Sequence, residues 1–369
     1  MLYHLLLPFQ EYFSALNVFR YISFRSAAAA ITALLFSFVI GPWIIRKLHS
    51  MQIGETIRTT GPKTHEAKAG TPTMGGLIIL GAILVATLLF GRLDNIYIQM
   101  LIISTVWMGL IGFIDDYLKV VKKIKKGLLA KYKLMGQISL GLLLGIVVYL
   151  HPEFEGIHTS TTMPFFKGFM LDFKEWWIYI PFVIFVITAT SNSVNLSDGL
   201  DGLAAGLMGI AAVVFAGIAY LTGRADFSQY LNIVYLPSAG ELTVFCAALI
   251  GAVLGFLWFN ARPAEVFMGD TGSLALGAAL GAVAVLLKKE FLLPFAGGVF
   301  ILESVSVILQ VRYFKYTKKR YGEGKRLFRM APIHHHFELK GWDENKVVIR
   351  FWILGIFFAL MTLATFKIR

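Results

Sequence analysis

Long apolar runs alternate with short polar loops along this chain, and that alternation leaves few folds open. Apolar stretches lie near residues 26–46, 73–91, 97–117, 134–150, 175–191, 202–221, 240–259, 273–288, 291–311 and 346–367. A helix needs about 20 such residues to cross the hydrocarbon of a bilayer, and most of these runs suffice; those near 175–191 and 273–288 are short. The strands of a closed barrel would instead show roughly ten residues of strict alternation, whereas these runs are apolar all round. The expected architecture is an all-α membrane protein with ten transmembrane helices and a single polytopic membrane domain over residues 1–369. Only 15% of the residues are charged, against about 25% in a soluble globular chain.

An even number of crossings puts both termini on one side, and charge says which. The loops 47–72, 118–133, 192–201, 260–272 and 312–345 hold IRKLHS, KVVKKIKKGLLAKYK and RYFKYTKKRYGEGKRLFR, while the opposite loops hold scattered cations such as Arg92, Lys167 and Arg224. Lys and Arg collect on the cytosolic side, so the basic set is expected in the cytosol and both termini in the periplasm. The net charge of +12 then reflects orientation and anionic substrates, not nucleic acid. The single cysteine, Cys246, allows no intrachain disulfide. Residues 1–20 lack the basic start and small-residue cleavage site of a signal peptide and read as an amphipathic segment lying on the membrane surface. The outer loop 151–174 has the Gly, Thr and aromatic content of a short hairpin.

The cytosolic helix ends carry acids that a passive bundle does not need. Asp115 and Asp116 close the third run in GFIDDYLK; Asn195, Asp198 and Asp201 lie in NSVNLSDGLDGLAAG; Asp270 opens the eighth run in FNARPAEVFMGDTGSLALG. Taken alone, Asp198 or Asp270 is consistent with a helix N-cap. Asp115 and Asp116 sit instead where a helix dipole disfavours negative charge and need compensation. Gly199, Gly202, Gly269 and Gly272 flank the acids, and glycines beside helix N-termini let backbone N–H groups approach an anion. Carboxylates in that company suit a Mg²⁺–phosphate site, because Mg²⁺ prefers oxygen ligands.

Further polar residues face the same side. The loop TTGPKTHEAKAGTPTMGG carries Lys63, His65, Lys68, Thr71 and Thr73 and is either an ordinary basic loop or one that closes over phosphates; it is not a Walker A motif. In MAPIHHHFELKGW, within the large cytosolic loop 312–345, His334, His335 and His336 are consecutive. Neighbours on a helix do not face one point, so the run reads as donors to phosphate and nucleotide, or as a solvated face, and not as one transition-metal site. Glu303 falls inside an apolar run. It is either functional, as intramembrane carboxylates usually are, or the partner of Arg350.

These stretches together resemble a known family. GPKTHEAKAGTPTMGG, GFIDDYLKV, NSVNLSDGLDGLA, LGFLWFNARPAEVFMGDTGSLALG and FRMAPIHHHFELKGW, in this order and spacing from about residue 20 onward, are similar to the phospho-N-acetylmuramoyl-pentapeptide-transferases, the bacterial lipid I synthases. The departures are small: Ser193 and Ser197 stand where Ala and Thr are familiar, and KKRYGEGK is longer than expected. The resemblance implies ten helices in the bacterial inner membrane, a cytosolic catalytic face, Mg²⁺ as cofactor and a homodimer. It implies UDP-N-acetylmuramoyl-pentapeptide and undecaprenyl phosphate as substrates, with lipid I and UMP as products. Asp115, Asp116 and Asp270 are then the expected catalytic residues, with Asp270 as metal ligand. Lys68, Thr73, Asn195, Asp198, Asp201, Asn260, Phe267, His334, His335 and His336 are the expected substrate contacts, Phe267 by stacking on uracil.

Two other classes remain to be weighed against this. A sister enzyme moving N-acetylglucosamine-1-phosphate onto the same lipid would share the acids and the metal. A cation or proton transporter would place its carboxylates near the midplane, where only Glu303 lies.

Overall fold

The computed structural model describes residues 1–51, 70–124, 126–166 and 169–366. Among these the chain forms fourteen α-helices: α1 Leu2–Leu6, α2 Ile22–Ser50, α3 Gly76–Phe90, α4 Ile96–Val120, α5 Ala130–Leu150, α6 Trp176–Ser197, α7 Leu203–Thr222, α8 Ala225–Leu231, α9 Glu241–Asn260, α10 Gly269–Leu286, α11 Leu293–Ala296, α12 Gly298–Tyr321, α13 Ile333–Glu338 and α14 Glu344–Ala364. A two-stranded antiparallel ribbon pairs β1, Ser160–Thr162, with β2, Met170–Asp172.

Eight of the described helices are long and apolar enough to cross a membrane: α2, α4, α5, α6, α7, α9, α10 and α14. Two of the ten expected spans differ. The second is the 15-residue helix α3, about 22 Å long at 1.5 Å per residue. The ninth is not one rod. The segment Glu290–Ala296 and helix α12 meet at 86°, where Pro294 is followed by Gly297 and Gly298, residues that interrupt a helix. Helix α12 then runs to Tyr321, ten residues past the expected end of that run at residue 311.

Helix α10 is the axis of the bundle. Every residue from Thr271 to Leu286 is buried, and the helix packs on α3, α4 and α6. Its Gly, Ala and Ser content allows that, since small side chains let membrane helices approach closely. Gly112 of α4 lies against the Asp270 carbonyl, so near that a Cβ would stand 2.1 Å from the oxygen. Gly76, at the start of α3, approaches Gly272 as tightly. These contacts bring the ends of α3, α4 and α10 together.

The other end of the bundle gathers Met1 and the residues just after α14. The Met1 ammonium donates to the Leu88 carbonyl at 2.7 Å, and the Phe366 ring lies under Lys289, just beyond α10. The β1–β2 ribbon covers the same end, with Thr162 donating to the Lys288 carbonyl. Buried there, Arg25 and Glu241 form a bidentate pair at 2.7 and 2.6 Å.

Candidate active site

The segment before α3 runs beside the turn that opens α10. Phe267 N–H donates to the Pro72 carbonyl, Gly75 N–H to the Phe267 carbonyl, and Gly76 N–H to the Met268 carbonyl, all at 2.8 to 2.9 Å. Through this pairing TPTMGG is fixed to FMGD. Helix α4 approaches from a third side and delivers its acids. One carboxylate oxygen from each of Asp115, Asp116 and Asp270 falls within 4.8 Å of the others. Residues far apart in sequence thus share one point.

The three acids are not equivalent. Both oxygens of Asp116 are committed: Oδ1 accepts from Asp270 N–H at 3.1 Å, and Oδ2 accepts from Thr271 N–H at 2.8 Å and from the Thr271 hydroxyl at 2.6 Å. Asp116 therefore caps the N-terminus of α10 from a different helix. The positive end of the α10 dipole meets a carboxylate late in α4, which offsets the unfavourable position that the acid has on its own helix. Asp270 is not its own helix's cap. Its Oδ1 accepts from the Asn195 amide at 2.9 Å, and the same Nδ2 donates to Ser273 Oγ at 2.8 Å. Asp115 is fully buried; its Oδ1 accepts from Leu128 N–H at 2.7 Å.

Two lysines bridge Asp115 and Asp270. Lys119 contacts Asp115 directly and lies 3.2 Å from Asp270 Oδ2. Lys133 lies 2.9 Å from Asp115 Oδ2 and also contacts Asp270. Asp115 Oδ2 thus has both ammonium groups in ion-pair contact but no aligned hydrogen bond. Three carboxylates against two ammonium groups leave one negative charge. The lysine side chains are 38% and 22% exposed, so the cluster is open on their side. Carboxylate oxygens in excess, one without an aligned donor, are the donor set a hard divalent cation takes. Asp115 and Asp270 are the residues that would hold it.

The remaining expected residues divide. Thr73 is buried beside the cluster, its hydroxyl within 2.8 Å of where a Gly269 Cβ would stand. Phe267 is half-buried in the turn that pairs with Pro72. Asp198 is half-buried at the C-cap of α6 and is not a member of the three-acid cluster. Asp201 accepts from Ala264 N–H at 3.3 Å. Asn260 is spent on the backbone: its carbonyl oxygen accepts from Gly202 N–H at 3.0 Å and its amide donates to the Val266 carbonyl at 2.9 Å. It braces two loops. Lys68 lies outside the described residues, as do Lys63 and His65.

The three histidines have three environments. His334 is fully buried, its Nδ1 3.1 Å from Glu303. Glu303 is thus partnered by His334 and not by Arg350, whose guanidinium stacks on Trp342 at 4.1 Å. His335 Nδ1 lies 2.7 Å from Glu338. His336 Nδ1 accepts from Arg329 N–H at 3.1 Å. Burial, with Lys340 and Arg329 nearby, holds the His336 imidazole below its ordinary pKa.

Sequence reasoning passed over Lys119 and Lys133, which it counted only as orientation signals. Lys119 was findable, because it stands four residues after Asp115 on one helix face. Nothing local marks Lys133, on the next helix, as its companion.

The chain matches the family model described as glycosyl transferase family 4 over residues 98–288. It also matches phospho-N-acetylmuramoyl-pentapeptide-transferase signature 1 over residues 68–80, the segment that leads into α3. It is 53% identical to a phospho-N-acetylmuramoyl-pentapeptide-transferase of Thermodesulfovibrio yellowstonii and 52% identical to one of Chloroherpeton thalassium, over 100% of each chain. The likeness to the enzyme of Flavobacterium psychrophilum is 46%, again over the full length of both. With an acid cluster at the meeting point of these matched segments, the chain belongs to the phospho-N-acetylmuramoyl-pentapeptide-transferase family.

Proposed function

We infer that this protein transfers phospho-N-acetylmuramoyl-pentapeptide from UDP-N-acetylmuramoyl-pentapeptide to undecaprenyl phosphate, giving lipid I and UMP, the first membrane step of peptidoglycan synthesis. The observation that carries the reading is the three-carboxylate cluster at the N-terminus of α10, in a chain alike over its full length to enzymes of that name. Both reactants are anions, so the site must neutralise charge as well as align the groups.

The cation of this reading is Mg²⁺, which when bound would draw off negative charge from the pyrophosphate and the departing UMP. Asp270 would be its chief ligand, with Asp115 beside it. Asn195 fixes the Asp270 carboxylate, and Asp116 fixes the helix end that carries it. Lys119 and Lys133 bridge Asp115 and Asp270, and their flexible stems let them turn toward phosphate oxygens. A phosphate monoester has its second pKa near 6 and is largely dianionic at neutral pH. Its oxygen attacks the β-phosphorus, a new P–O bond forms, and the bond to the oxygen shared with the α-phosphate breaks with its electrons leaving on UMP. Asp115 accepts the last proton or orients the nucleophile. Lys68, Thr73, Asp198, Asp201, Phe267 and His335 are assigned to the nucleotide and phosphates. His334 and Asn260, committed to Glu303 and to backbone, serve as braces.

The basic segment 118–133 meets the acid cluster through Lys119 and Lys133, which supports a cytosolic catalytic face in the inner membrane and periplasmic termini. Ten crossings follow if α3 and the bent α11–α12 pair are each counted as one. A homodimer is part of the same reading, and light scattering of the detergent-solubilised protein tests it.

Purified protein should release UMP from UDP-N-acetylmuramoyl-pentapeptide only with undecaprenyl phosphate and Mg²⁺, and a chelator should stop it. Release from UDP-N-acetylglucosamine instead would replace this reading with the sister enzyme. A phosphorylated aspartate trapped with the UDP-sugar alone, and competent to form lipid I, would replace the single displacement with two.

A further inference from the structure

Glu303 and His334 are each fully buried, and the mechanism above gives Glu303 nothing to do. A carboxylate inside a membrane bundle is costly and rarely idle. At 3.1 Å the two side chains are in ion-pair contact, yet they are not aligned as donor and acceptor, and no other group among the described residues satisfies Glu303 or the His334 ring nitrogens. Each therefore depends on the other.

The far edge of the imidazole rests on Gly199. A Cβ at residue 199 would stand 2.4 Å from His334 Nε2 and 2.9 Å from Cε1. The backbone there is not left-handed, so the position is glycine to admit the ring, not to make a turn. A neighbouring contact ties the same two helices, with the Ser304 hydroxyl of α12 donating to Ser193 of α6 at 2.8 Å. Past Gly199, Asp201 N–H donates to Glu344 and Gly202 N–H to Asn260, both at 3.0 Å. The turn that follows α6 is thus clamped at one side by the end of α9 and the start of α14 and at the other by a buried imidazole. That turn carries Asp198 and Asp201, and Asn195, one helical turn back, holds Asp270.

We propose that Glu303 is a positioning residue: through the His334 imidazole seated on Gly199, it sets the turn at residues 198–202 against the acid cluster. His334 acts from behind the site, where solvent and substrate do not reach it. The three histidines then do not form one donor set, and of the three only His335 and His336 keep partial exposure. This rests on the proposed transferase reading for the kinetic readout, although the contact itself does not.

Two routes disturb one ring. E303A removes its support, and G199A occupies its seat. Each is expected to raise KM for UDP-N-acetylmuramoyl-pentapeptide about ten-fold, as loss of a group supporting a metal-site residue does, with KM for undecaprenyl phosphate unchanged. Because both act through His334, the double variant should match the single ones instead of multiplying to about a hundredfold. E303Q, which keeps the shape, should be milder than E303A. Multiplying effects, or an equal fall in apparent activity with both substrates in step with lost thermal stability, would overturn the proposal. A second measurement is independent of turnover. In protein labelled with ¹⁵N-histidine, the signal absent from H334Q should shift in both E303Q and G199A. A signal unmoved in either variant overturns the contact even if the enzyme is active. Shifted signals in a protein that releases no UMP would sink the transferase reading and leave the contact standing.

Discussion

The two ends of α10 handle buried charge in opposite ways. Beyond its C-terminus, Lys288 Nζ donates to the His158 carbonyl and the Tyr179 hydroxyl, each at 2.8 Å. Glu290 accepts from Thr161 and from Tyr179. Nearby, both oxygens of Glu241 meet the Arg25 guanidinium, and Oε2 also accepts from Arg92 N–H. These carboxylates are matched by rigid or neutral donors. At the N-terminus the carboxylates outnumber their cations, and those cations are ammonium groups on long, partly exposed stems. Matched charge under cover fixes a structure, whereas unmatched charge beside movable partners leaves room for a substrate and a cation. Burial alone does not identify a site; the completeness of the partners does.

The contrast is broken most directly by removing one carboxylate from each end. D270N should lower turnover about a thousandfold, the loss of several kcal/mol of charge stabilisation, and raise the Mg²⁺ concentration needed, with thermal stability in detergent little changed. D115N should lower turnover more than nucleotide affinity, and identical behaviour of these two variants in a Mg²⁺ titration would remove the division of roles between them. E241Q should do the reverse of D270N. It strands Arg25 without its charge partner and should cost about 3–5 kcal/mol of stability, while the folded fraction keeps its turnover. If E241Q enzyme that remains folded turned over as poorly as D270N, the two ends would not differ in kind.

Asp116 lies between these extremes, because it is matched and yet belongs to the acid end. D116N should destabilise by about 1–2 kcal/mol, as loss of a helix cap does, and also slow turnover by shifting Asp270. Loss of either effect without the other, measured by thermal melts and UMP release, would place Asp116 wholly at one pole. The smallest effect concerns pH. Burial pushes the Lys288 and Lys289 ammonium groups down to about 8 from an ordinary 10.5, against the pull of Glu290. The unfolded chain holds those protons through a range in which the native chain has released them. Stability linked to these lysines should therefore rise with pH from about 8 toward 10.5, and the double variant K288M/K289M should flatten that slope in melts across the range.

The sequence by itself determined the class of the fold and the neighbourhood of the chemistry. Apolar runs long enough to span a bilayer are a local property, and so are acids set beside glycines at the run ends; both were legible from residue type and spacing. The order of the motifs from Lys68 to His336 was enough to indicate the family. Partnership was not legible, because it is made by packing between segments far apart in the chain. Only the tertiary structure turned Asp116 into the cap of a helix 154 residues away, and only it gave Lys133 to Asp115 and Asp270. It also committed Asn260 to backbone and joined Glu303 to His334. The break between α11 and α12 was present in the sequence as Pro294 and a Gly pair, yet a hydropathy window averages over three such residues. An apolar pattern says that a face will be covered. Which polar groups meet beneath the cover is decided by the geometry that the covering helices adopt.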